Sequence, residues 1–217
     1  MTRRLLLLAA LIPAIAVAAP AGKWINAIAL SKIGGHVMGN PAAPTKLVEY
    51  VSYTCSHCAH FVSEASEPLR TRYVAGGKTS VEVRNAVRDR YDMTAAMLAR
   101  CGGPRRFFGN HEALFANQDA WMEKLMAYDQ SAPRNPDQVT TMRDIGRNTG
   151  LYDLMKKRGF TEAQLDACIA DPVANKAVMA MTEEAWKTLK IHGTPAFTVN
   201  GALVDGSSWE KLQPALP

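Results

Sequence analysis

The sequence predicts a mixed α/β fold, a sheet drawn from both ends of the chain and split by a long helical insertion. Three observations carry this expectation. Two strand-like stretches, TKLVEYVSY (45–53) and TSVEVRNAV (79–87), flank a single helical pattern. From about Met93 to Leu189 almost every segment has helical spacing. Strand character then returns at AFTVN (196–200).

Before the first strand, Met1-Thr2-Arg3-Arg4 is a basic head, and LLLLAALIPAIAV is an apolar run of thirteen residues. Ala16-Val17-Ala18 then supplies the small residues a signal peptidase reads. This is the pattern of a secretory signal peptide over residues 1–18. The run is short for a bilayer span, and an uncleaved anchor is the alternative. The mature chain is expected to be periplasmic or secreted, where disulfides persist. Of 217 residues, 47% are hydrophobic, ordinary for a globular protein. Removing Arg3 and Arg4 with the signal leaves 23 basic against 20 acidic residues, too mild an excess to argue for nucleic acid. The basic clusters at 70–72 and 156–158 end helical patterns and read as solvated faces.

The elements follow in order. Residues 45–53 are rich in Val, Leu and Tyr and read as a buried strand. From Cys55 to about Val74, Phe61, Ala65, Leu69 and Tyr73 recur at helical spacing, with a kink expected at Pro68. Residues 79–87 alternate as a second strand. The helical block follows, and Asn200-Gly201 between AFTVN and ALVD predicts a tight hairpin. SSWEKL begins a last short helix with a serine cap.

The chemistry concentrates in YTCSHCAHF (53–61). Cys55 and Cys58 sit where a strand gives way to a helix. A zinc site normally needs four ligands, whereas Cys101 and Cys168 are isolated and the five histidines scattered. A helix N-terminus favours negative charge, so Cys55 in the first turn should ionise readily, with His57 acting in the same direction. The thiolate is the attacking form in disulfide exchange, and Cys58, one turn inward, would resolve the mixed disulfide.

VEYVSYTCSHC, the helix after it, the helical insertion and GTPAFTVNG (193–201) resemble the DsbA family of thioredoxin-fold oxidoreductases, from about residue 34 to 209. The resemblance implies a thioredoxin fold with an inserted all-helical domain. Residues 19–90 and 186–217 would form the thioredoxin part and 91–185 the insertion. It implies dithiol–disulfide exchange without a cofactor, with Cys55 attacking, Cys58 resolving and His57 in the family's histidine position. Ser56 stands where the family usually has proline. Glu49 matches a buried acid thought to handle the proton of the resolving thiol, although on the residues alone it could equally be a solvated strand acid. Thr194 and Pro195 match the residue and cis-proline that face the disulfide and bind extended substrate. Expected partners are unfolded or partly folded exported polypeptides, with a membrane reoxidant of the DsbB type.

In an exported chain, leftover cysteines usually pair, and only Cys101–Cys168 leaves the redox pair intact; two buried free thiols are the alternative. His60, His111 and His192 read as structural or surface residues. Three functions are in contention: an exported thiol oxidase, a disulfide isomerase or reductase, and a copper- or metal-binding protein using Cys55, Cys58 and a nearby histidine.

Overall fold

The computed structural model describes residues 22–131 and 135–217, so the signal-peptide reading of residues 1–18 lies outside it. The sheet is formed by β1 (Ile28–Leu30), β2 (His36–Gly39), β3 (Thr45–Val51), β4 (Thr79–Asn85), β5 (Ala196–Val199) and β6 (Ala202–Leu203), in the order β1-β2-β4-β3-β5-β6. Only β3 and β4 are parallel. They are joined through α1 (Ser56–Pro68), as a parallel pair requires a crossover. The fold is thioredoxin-like.

Strand parity sorts the core. Leu47 and Val51 of β3 pack in one cluster with Cys58, Phe61 and Ala65 of α1. Tyr50, on the opposite face, packs with Ala86, Ala185 and Ile191. Glu49 shares the Leu47–Val51 face because side chains alternate along a strand. The hairpin at Asn200-Gly201 has both residues at positive φ, 51° and 84°, the turn its sequence predicts.

Between β4 and β5 lie α2 (Arg90–Ala99), α3 (Pro104–Ala116), α4 (Gln118–Ser131), α5 (Gln138–Asn148), α6 (Leu151–Lys157), α7 (Glu162–Ile169) and α8 (Pro172–Glu183). Their starts are written in the sequence. Asp89 caps α2, Thr161 and Gln164 form a capping box on α7, and Asp171 caps α8. Cys101 and Cys168 are bonded, with Cα atoms 5.6 Å apart, tying the end of α2 to α7. A bridge spanning a sequence separation of 67 removes about 4 kcal/mol of loop freedom from the unfolded chain. Ser208 caps α9 (Trp209–Leu212), which returns to pack on the sheet core.

Several expectations are corrected. The hairpin of β1 and β2 was not foreseen; both strands are short and poor in β-branched residues, and Gly34-Gly35 sits between them. Pro68 does not simply kink one helix. The chain continues from it as a wider π-helical stretch, Leu69–Val74. The basic clusters are not wholly solvated faces: half-buried Arg70 pairs with Glu112, and Arg158 Nε donates to Asn110 Oδ1 at 2.8 Å. The expectation for His111 stands: it is buried, as a structural residue, and His36 is buried too.

Candidate active site

Cys55 is the N-cap of α1, in extended backbone (φ −96°, ψ 118°), and Cys58 lies one turn inside. Both are reduced and buried. The Cys55 thiol donates to the carbonyl of Thr194 at 3.1 Å. The Thr194–Pro195 peptide is cis, as expected. Thr194 is itself buried, and its hydroxyl has no hydrogen-bond partner among the described residues.

These neighbours separate the two thiols. Cys55 is pulled down to about 4, most strongly by the Cys58 side chain, against the opposing effect of burial; Thr194 and the backbone N–H groups of Cys58 and His57 add to it. The thiol form donates a hydrogen bond to the Thr194 carbonyl. The thiolate form cannot, and the free Thr194 hydroxyl is then the donor on that side. Cys58 is pushed well up, first by burial and then by the hydrogen bond and charge of Cys55. One sulfur is thus held as thiolate and the other as thiol, the division of labour disulfide exchange needs.

Glu49 is buried, and its Oε1 has no hydrogen-bond partner among the described residues. Its register neighbours are Val83 on β4 and Phe197 on β5, both buried and apolar. Burial alone pushes its carboxyl up to about 8. It is therefore protonated near neutrality, on the face of β3 that carries the Cys58 cluster.

His57 is exposed and lines a groove of about 590 Å³ with Ile191, His192, Thr194, Pro195 and Leu203. Its effect on Cys55 comes through its backbone N–H. The site therefore brings together Cys55, Cys58, Thr194 and Pro195, puts Glu49 behind them and sets the His57 imidazole at the rim. Cys101 and Cys168 are joined elsewhere, in the insertion. Among the described residues, no three His, Cys, Asp or Glu side chains gather as a metal site.

Sequence reasoning missed the residues that seat the redox loop. Asp92 of α2 accepts from Tyr53 N–H at 2.7 Å. Arg88 donates to the hydroxyls of Ser52 and Thr54 at 2.9 and 3.0 Å. Gln118 of α4 donates to the carbonyls of Tyr53 and Cys55 at 2.7 and 3.0 Å. The contacts of Asp92 and Gln118 come from the insertion and those of Arg88 from the segment that leads into it, and no local pattern marks them.

A family model described as Thioredoxin matches residues 31–217. Among solved structures, a protein-disulfide isomerase from Novosphingobium aromaticivorans is 39% identical with a TM-score of 0.77, covering 83% of this chain and 94% of its own. Wolbachia pipientis alpha-DsbA1, 21% identical with a TM-score of 0.67, covers 86% of this chain and 90% of its own and shares the fold. A protein of Rickettsia bellii, named as a protein-disulfide oxidoreductase, is 28% identical over 83% of this chain; the chain spans 62% of that relative's length.

Proposed function

The chain belongs to the thioredoxin family, and on that premise we propose that it is an exported thiol:disulfide oxidoreductase that oxidises cysteine pairs in periplasmic or secreted proteins. The observation that supports this reading best is the opposed state of the two thiols, Cys55 held down at about 4 and Cys58 pushed well up. Whatever stabilises the Cys55 thiolate is lost when Cys55 is bonded to Cys58. It therefore favours the dithiol and makes the disulfide an oxidant.

In the oxidised enzyme a substrate thiolate attacks Cys55 Sγ, forming a mixed disulfide and breaking the Cys55–Cys58 bond. The electron pair leaves on Cys58, whose thiolate is disfavoured by burial and takes up a proton. Glu49, protonated near neutrality, is the group on that face able to supply it. The second substrate thiolate then attacks the substrate sulfur, closing the substrate disulfide and releasing Cys55 as thiolate. Extended, unfolded exported polypeptides would lie along Thr194-Pro195 beside the cysteines. A membrane reoxidant of the DsbB type would restore the disulfide.

The test is direct. Cys55→Ser should abolish exchange, and Cys58→Ser should accumulate mixed disulfides with substrate. Alkylation at mildly acidic pH should label Cys55 before Cys58; the reverse order would overturn the assignment. Equilibration with glutathione should give a potential above thioredoxin's, about −270 mV. A value at or below it would favour a reductase.

The isomerase name of the Novosphingobium relative keeps a second reading in play. Recovery of activity from a scrambled disulfide substrate, at a rate exceeding simple oxidation, would select it.

A further inference from the structure

Tyr53 lies two residues before Cys55 and is fully buried. Every polar atom it has is held by a buried side chain from the helical insertion. Asp92 of α2 takes its N–H at 2.7 Å. Gln118 of α4 donates to its carbonyl at 2.7 Å. His111 of α3 is hydrogen-bonded to its hydroxyl at 3.0 Å. Gln118 goes further than the other two, because the same amide nitrogen also donates to the Cys55 carbonyl at 3.0 Å. A side-chain amide has two hydrogens, and here both are committed, to carbonyls two residues apart.

We propose that Gln118 is the positioning residue of the redox loop, holding Cys55 in its N-cap conformation so that its sulfur meets the donors at the start of α1 and at Thr194. The inference rests on Cys55 being the reactive thiol of the proposed exchange.

Without the amide, the Cys55 carbonyl would keep the N–H groups of Cys58 and Ala59. The Tyr53 carbonyl has Gln118 as its side-chain donor in a fully buried residue. Stripped of it, a buried acceptor goes unmet, which the backbone relieves by turning toward another donor or admitting water. Either response rotates the chain one residue before Cys55. The groups that hold the thiolate are short-range contacts, the Cys58 side chain, the Thr194 hydroxyl and two backbone N–H groups. A small rotation weakens several of them at once. The insertion therefore reaches the chemistry through one amide, although it contributes no reacting atom.

The test compares the reduced protein with Gln118→Met, which keeps length and removes both donors. The Cys55 midpoint, followed by thiolate absorbance, should rise by about one pH unit, the scale of one lost hydrogen bond. The equilibrium with glutathione should move about tenfold toward the disulfide, about 30 mV. Trp121→Phe removes a different buried hydrogen bond of α4, to the Leu114 carbonyl, and should leave both readouts at wild-type values. A folded Gln118→Met with unchanged midpoint and potential overturns the proposal, as does an equal shift in Trp121→Phe.

Should Gln118→Met not fold, wild type alone decides. Its Gln118 side-chain amide resonances should titrate with the Cys55 midpoint, and resonances that stay fixed through it overturn the proposal. If wild type neither exchanges disulfides nor equilibrates with glutathione, the proposed function fails instead.

Discussion

Glu49 and Glu82 sit on adjacent strands, one position out of register, and face opposite sides of the same sheet. Glu82 pairs across from Val48, while Glu49 pairs across from Val83. Behind the sheet, Glu82 takes two hydrogen bonds from Arg84, at 2.7 and 2.8 Å. Arg84 also reaches Glu184 at 2.6 Å, and Tyr50 donates to the same carboxylate at 3.0 Å. In front, Glu49 stands among apolar neighbours with Oε1 unpartnered. Two buried acids of one sheet thus meet opposite fates. The rear one is neutralised by a network that fastens the stretch after α8 to the sheet. The front one stays protonated by burial, on the face of the sheet that carries the Cys58 cluster. Hydrogen-bonding capacity is left unused on the redox side, in Glu49 and in the Thr194 hydroxyl, where the chemistry needs groups able to change partners.

The largest expected effect comes from breaking the rear network. Arg84→Met leaves Glu82 and half-buried Glu184 without their cation; removing one partner of a fully buried pair costs about 3–5 kcal/mol, and the partial exposure here puts the loss at the lower end, about 3 kcal/mol. Denaturant unfolding should show that loss, while the exchange rate per folded molecule stays close to wild type. A matching fall in rate would mean the two faces are not separate in role.

The front acid should answer differently. Glu49→Gln should slow the steps in which Cys58 gains or loses a proton and flatten their pH dependence. Its stability signature follows from linkage. The folded carboxyl, at about 8, lies above its unfolded value of 4.5. Wild type therefore keeps its full stability below pH 4.5 and loses it as pH rises through 8. The variant has no such loss, so it should gain on wild type by about 3 kcal/mol between pH 4.5 and 7. Parallel stability curves would show that Glu49 is not a buried acid in solution.

The contrast between the two acids also explains what the sequence could show. Cys55 and Cys58 were legible because a cysteine pair at a strand–helix junction carries its chemistry locally, whereas Thr194 and Pro195 were placed by the family resemblance, a proline at a strand entrance being compatible with an ordinary turn. Glu49 was ambiguous because strand parity alone does not say which face is covered. The Glu82–Arg84–Glu184 network was not legible, since its third member is 100 residues from Arg84. Gln118, 65 residues from Tyr53, reads locally as an ordinary polar helix residue. Main strands and helix starts could be read from alternation and caps. β1 and β2 could not, because three- and four-residue strands owe their form to pairing rather than to propensity.

Thr194→Val sharpens the front side further. It keeps the shape and removes the free hydroxyl. With that donor gone, the Cys55 midpoint should rise by about one pH unit and the potential fall by about 30 mV. The Cys58 midpoint should rise as well, because Thr194 also lowers it. If only Cys55 moved, the hydroxyl would serve one sulfur rather than the pair.

The smallest effect should belong to His57→Ala. An imidazole beside a reactive cysteine invites the expectation that its charge sets the thiolate. Here the His57 side chain is exposed at the groove, and what reaches Cys55 from this residue is its backbone N–H. Alanine keeps that N–H. Whatever field the ring exerts from that exposed position is screened by solvent and salt. The potential should therefore fall, by less than the roughly 30 mV that a tenfold change in equilibrium represents. The shift should shrink further at high ionic strength. A drop larger than that of Thr194→Val, persisting in high salt, would put the imidazole in direct contact with the Cys55 thiolate and move the source of its stabilisation from the backbone and Thr194 to the histidine ring.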